Sequence, residues 1–241
     1  MPDHLDRLRG PFAPDPAPTG DAAPDRAAPD RAAPADGEGH AAPASGGGCA
    51  AETLRLYHAG YMSIPRPDVR YGRANADLGQ GFYLTDTEAF ARAWPLPRPG
   101  SPVVLNRYEL DTRGLRVLRM DFGPDWLDYL LRCRAGLPDR HADTDLIVAP
   151  VSNDTLFNSL GAITSGAFSR AQMLRLLAVG PRSLQYALKS ERAAAQLRWL
   201  GDETLTPEEE RQLLERRKAR EQVYLRQLAA VIEALGTPRG F

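Results

Sequence analysis

Apolar and polar residues begin to alternate regularly only at residue 53, and beyond it six short segments have the pattern of β-strands. Several of them are rich in β-branched and aromatic residues, which suit a pleated, half-buried surface. The segment at residues 145–151 is strongly apolar. The predicted strands cover residues 53–58, 81–85, 103–110, 115–120, 145–151 and 183–189.

Between these strands, apolar residues recur with the spacing of amphipathic helices. The predicted helices cover residues 86–94, 124–134, 154–163, 169–177 and 191–200. The first ends before Pro95, and Ser190 is a suitable N-cap for the last. Strands and helices follow one another without the even βαβ alternation of a doubly wound fold. The pattern therefore favours an α+β fold with a split, mainly antiparallel β-sheet and flanking helices.

A long amphipathic helix is predicted near the C-terminus, within residues 205–236. Thr206 can cap it, Pro207 fits its first position and Gly236 can end it. Its apolar residues near one face are Leu213, Tyr224, Leu228, Val231 and Leu235, and residues 216–220 form a basic stretch. Packing of this face on its own domain is the ordinary explanation, and binding of a partner or neutralising protein, or of a second copy, is the alternative.

The first 51 residues differ in composition from the rest of the chain. Nine of the 21 prolines and 13 alanines lie within the first 50 residues, and the unit Ala-Ala-Pro-Asp-Arg occurs twice in succession. Such a segment buries too little apolar surface to offset the entropy of ordering it, so we expect a disordered N-terminal tail. A docking segment around residues 5–12 is the alternative. The predicted division is a tail at 1–51, a domain at 52–201 and a helix at 205–236.

Charge and cysteine content exclude several classes of protein. Seven Asp and one Glu against four Arg give the first 50 residues a formal charge of −4, which leaves +3 for the rest of a chain whose total is −1. A net charge of +3 is too small to indicate nucleic-acid binding. No apolar run is long enough to cross a membrane, and the N-terminus lacks the pattern of a secretory signal. Two cysteines and no histidine cluster argue against disulfides and against a metal site. We therefore expect a cytoplasmic protein.

Three segments contain candidate functional residues. His58 ends a strand beside small residues, and in the segment at residues 77–85 two glycines lie at the entry to the strand that contains Tyr83. Trp94 follows Tyr83 by eleven residues, and Gln185 lies on a late strand. Taken singly, each of these residues is more often structural than catalytic.

Taken in order, these residues resemble the H-Y-E group of ADP-ribosyltransferases, which includes diphtheria toxin and the poly(ADP-ribose) polymerases. The chain also resembles a bacterial family of uncharacterised proteins grouped with these enzymes. Its members typically start with the motif tyrosine-histidine-glycine-serine, which is followed by a segment that ends in glycine-phenylalanine-tyrosine-leucine-threonine. They also carry the motif proline-valine-x-asparagine-aspartate and, near the end, glutamine-tyrosine. The matching positions are Tyr57 and His58, Asp77, residues 79–85, residues 150–154, and Gln185 with Tyr186.

The resemblance implies that NAD⁺ binds in the cleft of a split sheet as co-substrate, loses nicotinamide and passes ADP-ribose to an intracellular macromolecule. Many relatives of this kind act as toxins or effectors. Cleavage leaves a cation-like ribose and a flat aromatic amide, so a site needs aromatic faces and polar groups that orient the sugar. Tyr83 and Trp94 would enclose the nicotinamide ring. The backbone of Ala59 would bind the carboxamide, and His58 a ribose hydroxyl.

Gln185 would take the third, usually acidic, position. Its amide can bind a ribose hydroxyl but cannot act as a general base. Glu191 is the carboxylate nearest to Gln185 in sequence. It stands at the start of a predicted helix, where a negative charge is favourable at the positive end of the helix dipole. A non-catalytic NAD⁺- or nucleotide-binding module and an NAD⁺ glycohydrolase are therefore the alternatives to a mono-ADP-ribosyltransferase.

Two residues depart from the family pattern, since Ala59 replaces the usual glycine and Gly60 the usual serine. Gly60 and Gly81 are expected to let the cofactor approach the backbone closely. Arg73 and Asp77 are candidates for the phosphate or ribose side of the cofactor, with a solvated loop as the alternative. Asn153 and Asp154 are a further candidate pair, although a helix N-cap explains Asp154 equally well.

Overall fold

The computed structural model of the protein describes residues 52–153 and 168–235. The described strands are β1 Thr53–Gly60, β2 Phe82–Leu84, β3 Val104–Asp111, β4 Val117–Arg119, β5 Leu146–Pro150, β6 Leu184–Leu188 and β7 Leu197–Thr204. The described α-helices are α1 Glu88–Arg92, α2 Pro124–Arg134, α3 Arg170–Leu177, α4 Glu191–Ala195 and α5 Pro207–Leu235, and a 3₁₀ turn spans Val69–Tyr71. The predicted tail, the predicted helix at 154–163 and Gly236 lie outside the described residues.

The strands form two sheets, which confirms the predicted α+β class with a mainly antiparallel, divided sheet. Sheet A has the order β1-β3-β7, and sheet B has the order β2-β6-β5-β4. Every pairing is antiparallel except that of β4 with β5. Tyr57 of β1 joins the two sheets, because its N–H and C=O bond the backbone of Thr85 at 2.8 and 3.0 Å.

One apolar core fills the space between the two sheets. Successive residues of a strand point to opposite faces, so Phe82 and Leu84 of β2 enter this core while Tyr83 between them does not. Leu56 of β1 and Tyr108 of β3 meet them from sheet A. The opposite directions of Phe82 and Tyr83 give β2 two buried faces.

A second core covers the other face of sheet B. Trp126 and Leu130 of α2 lie there, together with Tyr224 and Leu228 of α5. The C-terminal helix therefore packs on its own domain, as the ordinary explanation of its apolar face predicted. Thr206 caps it as expected, since its hydroxyl accepts from the N–H of Glu209 at 3.3 Å. None of the described helices has an apolar stretch of the length that a membrane crossing requires.

The prediction of one helix over residues 191–200 is wrong. Ser190 does cap a helix, since its hydroxyl accepts from the N–H of Ala193 at 3.1 Å, but α4 ends at Ala195. The chain then enters β7, where Leu197 pairs with Leu110 and Trp199 with Tyr108 of β3. This segment forms a strand because it pairs with β3 of sheet A, and the burial gained there outweighs its weak local preference for a helix.

Candidate functional site

The candidate site lies where β1 and β2 separate. Tyr57 is the last residue of β1 that pairs with β2, through Thr85. In an antiparallel ladder the N–H and C=O groups of alternate residues point to the same edge of the strand. Ala59, two residues further on, therefore directs its N–H and C=O away from β3 and toward the opening between the sheets. This is the backbone orientation that binding of a planar carboxamide requires.

His58 is buried beside this opening and hydrogen-bonded to β2. Its Nδ1 lies 2.8 Å from the carbonyl oxygen of Tyr83, and its ring centroid is 4.8 Å from that of Phe82. Because a carbonyl only accepts, Nδ1 carries the proton and Nε2 is the unprotonated nitrogen. Burial lowers the pKa of His58 from 6.5 to about 4, against a smaller upward effect of the bond to Tyr83. His58 is therefore neutral near pH 7, which suits a hydrogen-bonding role rather than proton donation.

The residues that follow His58 are held by Asn106, which the sequence analysis did not single out. Asn106 lies opposite His58 in the β1–β3 register and is fully buried. Its amide donates to the carbonyl of Met62 at 3.0 Å and accepts from the N–H of Ile64 at 2.8 Å. The sequence offers one signal for Asn106, which is that a polar residue stands in the middle of the predicted strand at 103–110. Asn106 thereby fixes the path of the chain that leaves the site.

Tyr83 uses its hydroxyl to close the loop before β2. The hydroxyl donates to the carbonyl of Gly79 at 2.6 Å and accepts from the N–H of Leu78 at 2.9 Å. Burial, with a smaller contribution from the Asp77 charge, raises the pKa of the phenol well above its usual value. Gly79 adopts a φ of 75°, which glycine reaches without strain. Tyr83 is therefore rigidly held, and it is 3% exposed within the core that covers the other face of sheet B.

Trp94 and His58 line one small cavity. The cavity measures about 10 Å³, and its walls include Tyr57, His58, Ala59, Tyr83, Phe90 and Trp94. Space of this size holds about one water molecule. The indole of Trp94 is 7% exposed and lies 5.3 Å from the ring of Phe90. In this conformation the cavity is therefore too small for an aromatic ring.

Gln185 shares a face of sheet B with Tyr83. Tyr83 pairs with Ala187, and Gln185 is two residues from Ala187, so the two candidates are diagonal neighbours with Cα atoms about 7–8 Å apart. The Gln185 side chain is 2% exposed, and its Nε2 donates to the carbonyl of Pro150 at 3.1 Å. Trp126 donates to the same carbonyl. The structure thus brings Gln185 near Tyr83 but not into the wall of the small cavity.

Three predicted cofactor-binding residues have packing roles in the structure. Asp77 forms an ion pair with Arg134 of α2 at 2.9 Å, and both side chains are nearly buried. A Cβ on Gly81 would lie 2.6 Å from the carbonyl oxygen of Leu188, so the close approach of two strands explains this glycine. Arg73 is half-buried near Tyr83. A role of these residues toward a cofactor stays a prediction.

Residues 54–199 match the model of a family described as "Protein of unknown function (DUF3990)". The chain belongs to that family. No curated protein and no solved structure is similar enough to match it. The DUF3990 region begins in β1 and ends in β7, so it contains all the predicted site residues and excludes α5.

Helix α1, which belongs to the DUF3990 region, is anchored on sheet A by a quartet of charges, one of which, Glu203, follows the last matched residue. Arg92 contacts Glu88 at 2.9 Å and Glu203 of β7 at 2.7 Å. Arg107 of β3 contacts the same two carboxylates. The four side chains are partly buried, where ion pairs in a network are screened less than isolated surface pairs. The quartet fixes α1, and with it the start of the segment that leads to Trp94.

Beyond the DUF3990 region, Arg217 of α5 reaches the other end of α1. Its Nη1 donates to the carbonyl of Trp94 at 3.1 Å and to that of Ala93 at 3.4 Å. The sequence analysis placed Arg217 only within a basic stretch of the C-terminal helix. Helical spacing separates it from Arg216, because Arg217 is four residues after Leu213 and seven before Tyr224 and so lies on the apolar face, but its contact with Trp94 depends on how α5 packs.

Proposed function

We propose that this chain is a mono-ADP-ribosyltransferase that binds NAD⁺ in a cleft where β1 and β2 separate and transfers ADP-ribose to an intracellular macromolecule. The main support is the convergence of four residues on one cavity where β1 and β2 separate: His58, Ala59, Tyr83 and Trp94. Gln185 lies next to them as the diagonal neighbour of Tyr83. The order of these residues along the chain is also that of the ADP-ribosyltransferases that the sequence resembles.

The proposed roles follow from the chemistry of each group. A neutral His58 with its proton on Nδ1 can accept a hydrogen bond from a ribose hydroxyl at Nε2. The backbone N–H and C=O of Ala59 match the acceptor and donor of a carboxamide. The rings of Tyr83 and Trp94 offer aromatic faces to a flat ring, an arrangement that aromatic pairs favour.

Transfer requires one bond to break and one to form at the ribose. The bond between ribose C1′ and the nicotinamide nitrogen breaks, and nicotinamide leaves with the electron pair. The acceptor nucleophile then bonds C1′ and releases a proton. Gln185 can hold a ribose hydroxyl through its amide but cannot take that proton. We therefore propose that the proton passes to the acceptor's own surroundings or to solvent.

A second candidate function is binding of NAD⁺ without transfer. Two observations favour it: the third position has an amide in place of an acid, and that amide is already bonded to the Pro150 carbonyl. Cytoplasmic location and a toxin or effector role stay predictions.

The test is incubation of the full chain with NAD⁺ labelled on the adenylate and with cell lysate. Trp94→Ala removes one wall of the cavity, and Tyr71→Ala, an exposed aromatic at 52% exposure, is the matched control. We expect labelled macromolecules with the wild type and the control, and a loss of label of about tenfold or more with Trp94→Ala.

Four other outcomes would decide against transfer at this site. Equal label with all three proteins would place the reaction elsewhere, and no label with any of them would remove the activity. Free ADP-ribose without labelled macromolecules would indicate an NAD⁺ glycohydrolase. Calorimetric binding of NAD⁺ without release of nicotinamide would support the binding module.

A further inference from the structure

The backbone of Trp94 is held by a side chain from outside the DUF3990 region. Arg217 belongs to α5, which follows the last matched residue, yet its guanidinium donates to two consecutive carbonyls, those of Ala93 and Trp94. Arg217 is partly buried, in contrast to its exposed neighbour Arg216. The contact therefore joins a helix beyond the matched region to a wall of the candidate site.

Trp94 needs such an external contact because of its position. Helix α1 has only five residues and ends at Arg92, with Ala93 as its C-cap. The last carbonyls of a helix have no partner within it, and a cation at that end is favourable. The next segment contains Pro95, Pro97 and Pro99, which have no N–H to donate. Arg217 provides the carbonyls of Ala93 and Trp94 with a charged donor, which the three prolines cannot do.

Helix α5 is fixed at this place by other contacts, so Arg217 is a rigid anchor. Glu210, two turns earlier, accepts a hydrogen bond from the N–H of Val103 at 2.7 Å. Leu213 packs on the apolar cluster that contains Ala59 and Ala91. Further along, Tyr224 is buried in the core of sheet B. The helix therefore cannot shift at Arg217 without breaking contacts on both sides.

The segment after Trp94 has an anchor of its own. Tyr61 donates from its hydroxyl to the carbonyl of Leu96 at 2.7 Å, and the guanidinium of Arg98 lies 4.3 Å above the Tyr61 ring. Arg217 at the start and Tyr61 further on thus hold the backbone on both sides of Pro95. A ring that binds beside Trp94 would have to displace the indole, and a fixed backbone would define the position to which the indole returns.

We propose that Arg217 is a positioning residue that fixes the backbone of Trp94 so that its indole closes on the nicotinamide ring. This inference rests on the proposed NAD⁺ site. It has a specific consequence, because Trp94 faces the nicotinamide half of NAD⁺ and His58 the sugar. Loss of Arg217 should weaken binding of NAD⁺ and leave binding of ADP-ribose, which lacks nicotinamide, unchanged.

The experiment is calorimetric titration of the full chain with NAD⁺ and, separately, with ADP-ribose. Arg217→Met keeps the aliphatic part of the side chain and removes the donors, and Arg216→Met on the exposed side of the same helix is the control. We expect Arg217→Met to raise the Kd for NAD⁺ about tenfold and the Kd for ADP-ribose less than about twofold. Arg217→Lys, which keeps a charged donor, should restore NAD⁺ binding to within about threefold of the wild type.

The possible outcomes separate this inference from the proposed function. A wild type that binds neither ligand overturns the proposed function and the inference together. If the wild type binds both ligands, two results with Arg217→Met overturn the inference alone. One is that the variant binds both ligands as tightly as the wild type, and the other is that its affinity falls equally for both. An equal effect in Arg216→Met would likewise remove the specific role of Arg217.

Discussion

The buried His58 ring makes the stability of this protein depend on pH in a defined window. Burial lowers its pKa from 6.5 to about 4. Between these values the unfolded chain takes up a proton at His58 and the folded chain does not. The free energy of unfolding therefore falls as the pH falls from about 6.5 to about 4, and the loss is complete below the folded pKa.

The size of the effect follows from the two pKa values. The full difference corresponds to about 3 kcal/mol, of which about 2 kcal/mol is lost between about pH 7 and about pH 5. Carboxylates affect the range from about pH 7 to about pH 5 little, because hydrogen bonds from Arg107 and Arg92 lower the pKa of Glu203 from 4.5 and its contribution is lost mainly below about pH 5. Hydrogen bonds from Arg70 and Arg113 lower the pKa values of Asp68 and Asp111 from 3.8, so the stability that they contribute is lost only at lower pH.

Replacement of His58 by asparagine isolates this contribution. The Asn side chain has an N–H that can donate to the Tyr83 carbonyl in place of Nδ1, and it does not titrate. Urea denaturation of both full-length proteins, followed by circular dichroism near pH 7 and near pH 5, measures the two free energies. We expect the wild type to lose about 2 kcal/mol more than His58→Asn. Equal losses would show that His58 is not buried in the neutral form.

Four further substitutions test the packing around the site by urea denaturation. Gly81→Ala places a Cβ 2.6 Å from the Leu188 carbonyl oxygen and should destabilise by about 3 kcal/mol, whereas Gly60→Ala, whose Cβ meets His58 Nε2 only at 3.4 Å, should change stability by less than about 1 kcal/mol. Equal effects would contradict this geometry. Asp77→Ala leaves Arg134 buried without its carboxylate and should destabilise by about 3 kcal/mol or more, and a neutral result would argue against the ion pair. Tyr83→Phe should destabilise by about 1–3 kcal/mol through the loss of two hydrogen bonds, and should leave NAD⁺ binding detectable because the ring remains.

Local patterns predicted most of the described elements. The alternation around Leu56, the apolar run at 145–151 and the proline and acidic residues at the start of α5 were sufficient for β1, β5 and α5. They failed at β7, where Leu197 and Leu200 have a helical spacing while Leu197 and Trp199 have an alternating one. A short apolar segment does not distinguish the two periods, and the neighbouring β3 decides between them.

The candidate site was predictable where its residues stand within ordered motifs. His58, Tyr83 and Trp94 were selected from the order and spacing of the sequence, and they surround one cavity. Asn106 and Arg217 were not selected, because each acts through a partner distant in sequence. Asp77 was selected as a possible cofactor ligand, and its ion pair with Arg134 depends on a helix that begins 47 residues later.

The amino-acid sequence by itself determined the period and the ends of most segments, since these depend on neighbours within a few residues. It also determined which aromatic and polar side chains are available for chemistry. Tertiary structure alone decided that the segment after α4 is a strand, that His58 is neutral and that Arg217 holds Trp94. Pairing of strands, exclusion of water and contact between helices all depend on residues brought together only by folding, and no local pattern contains that information.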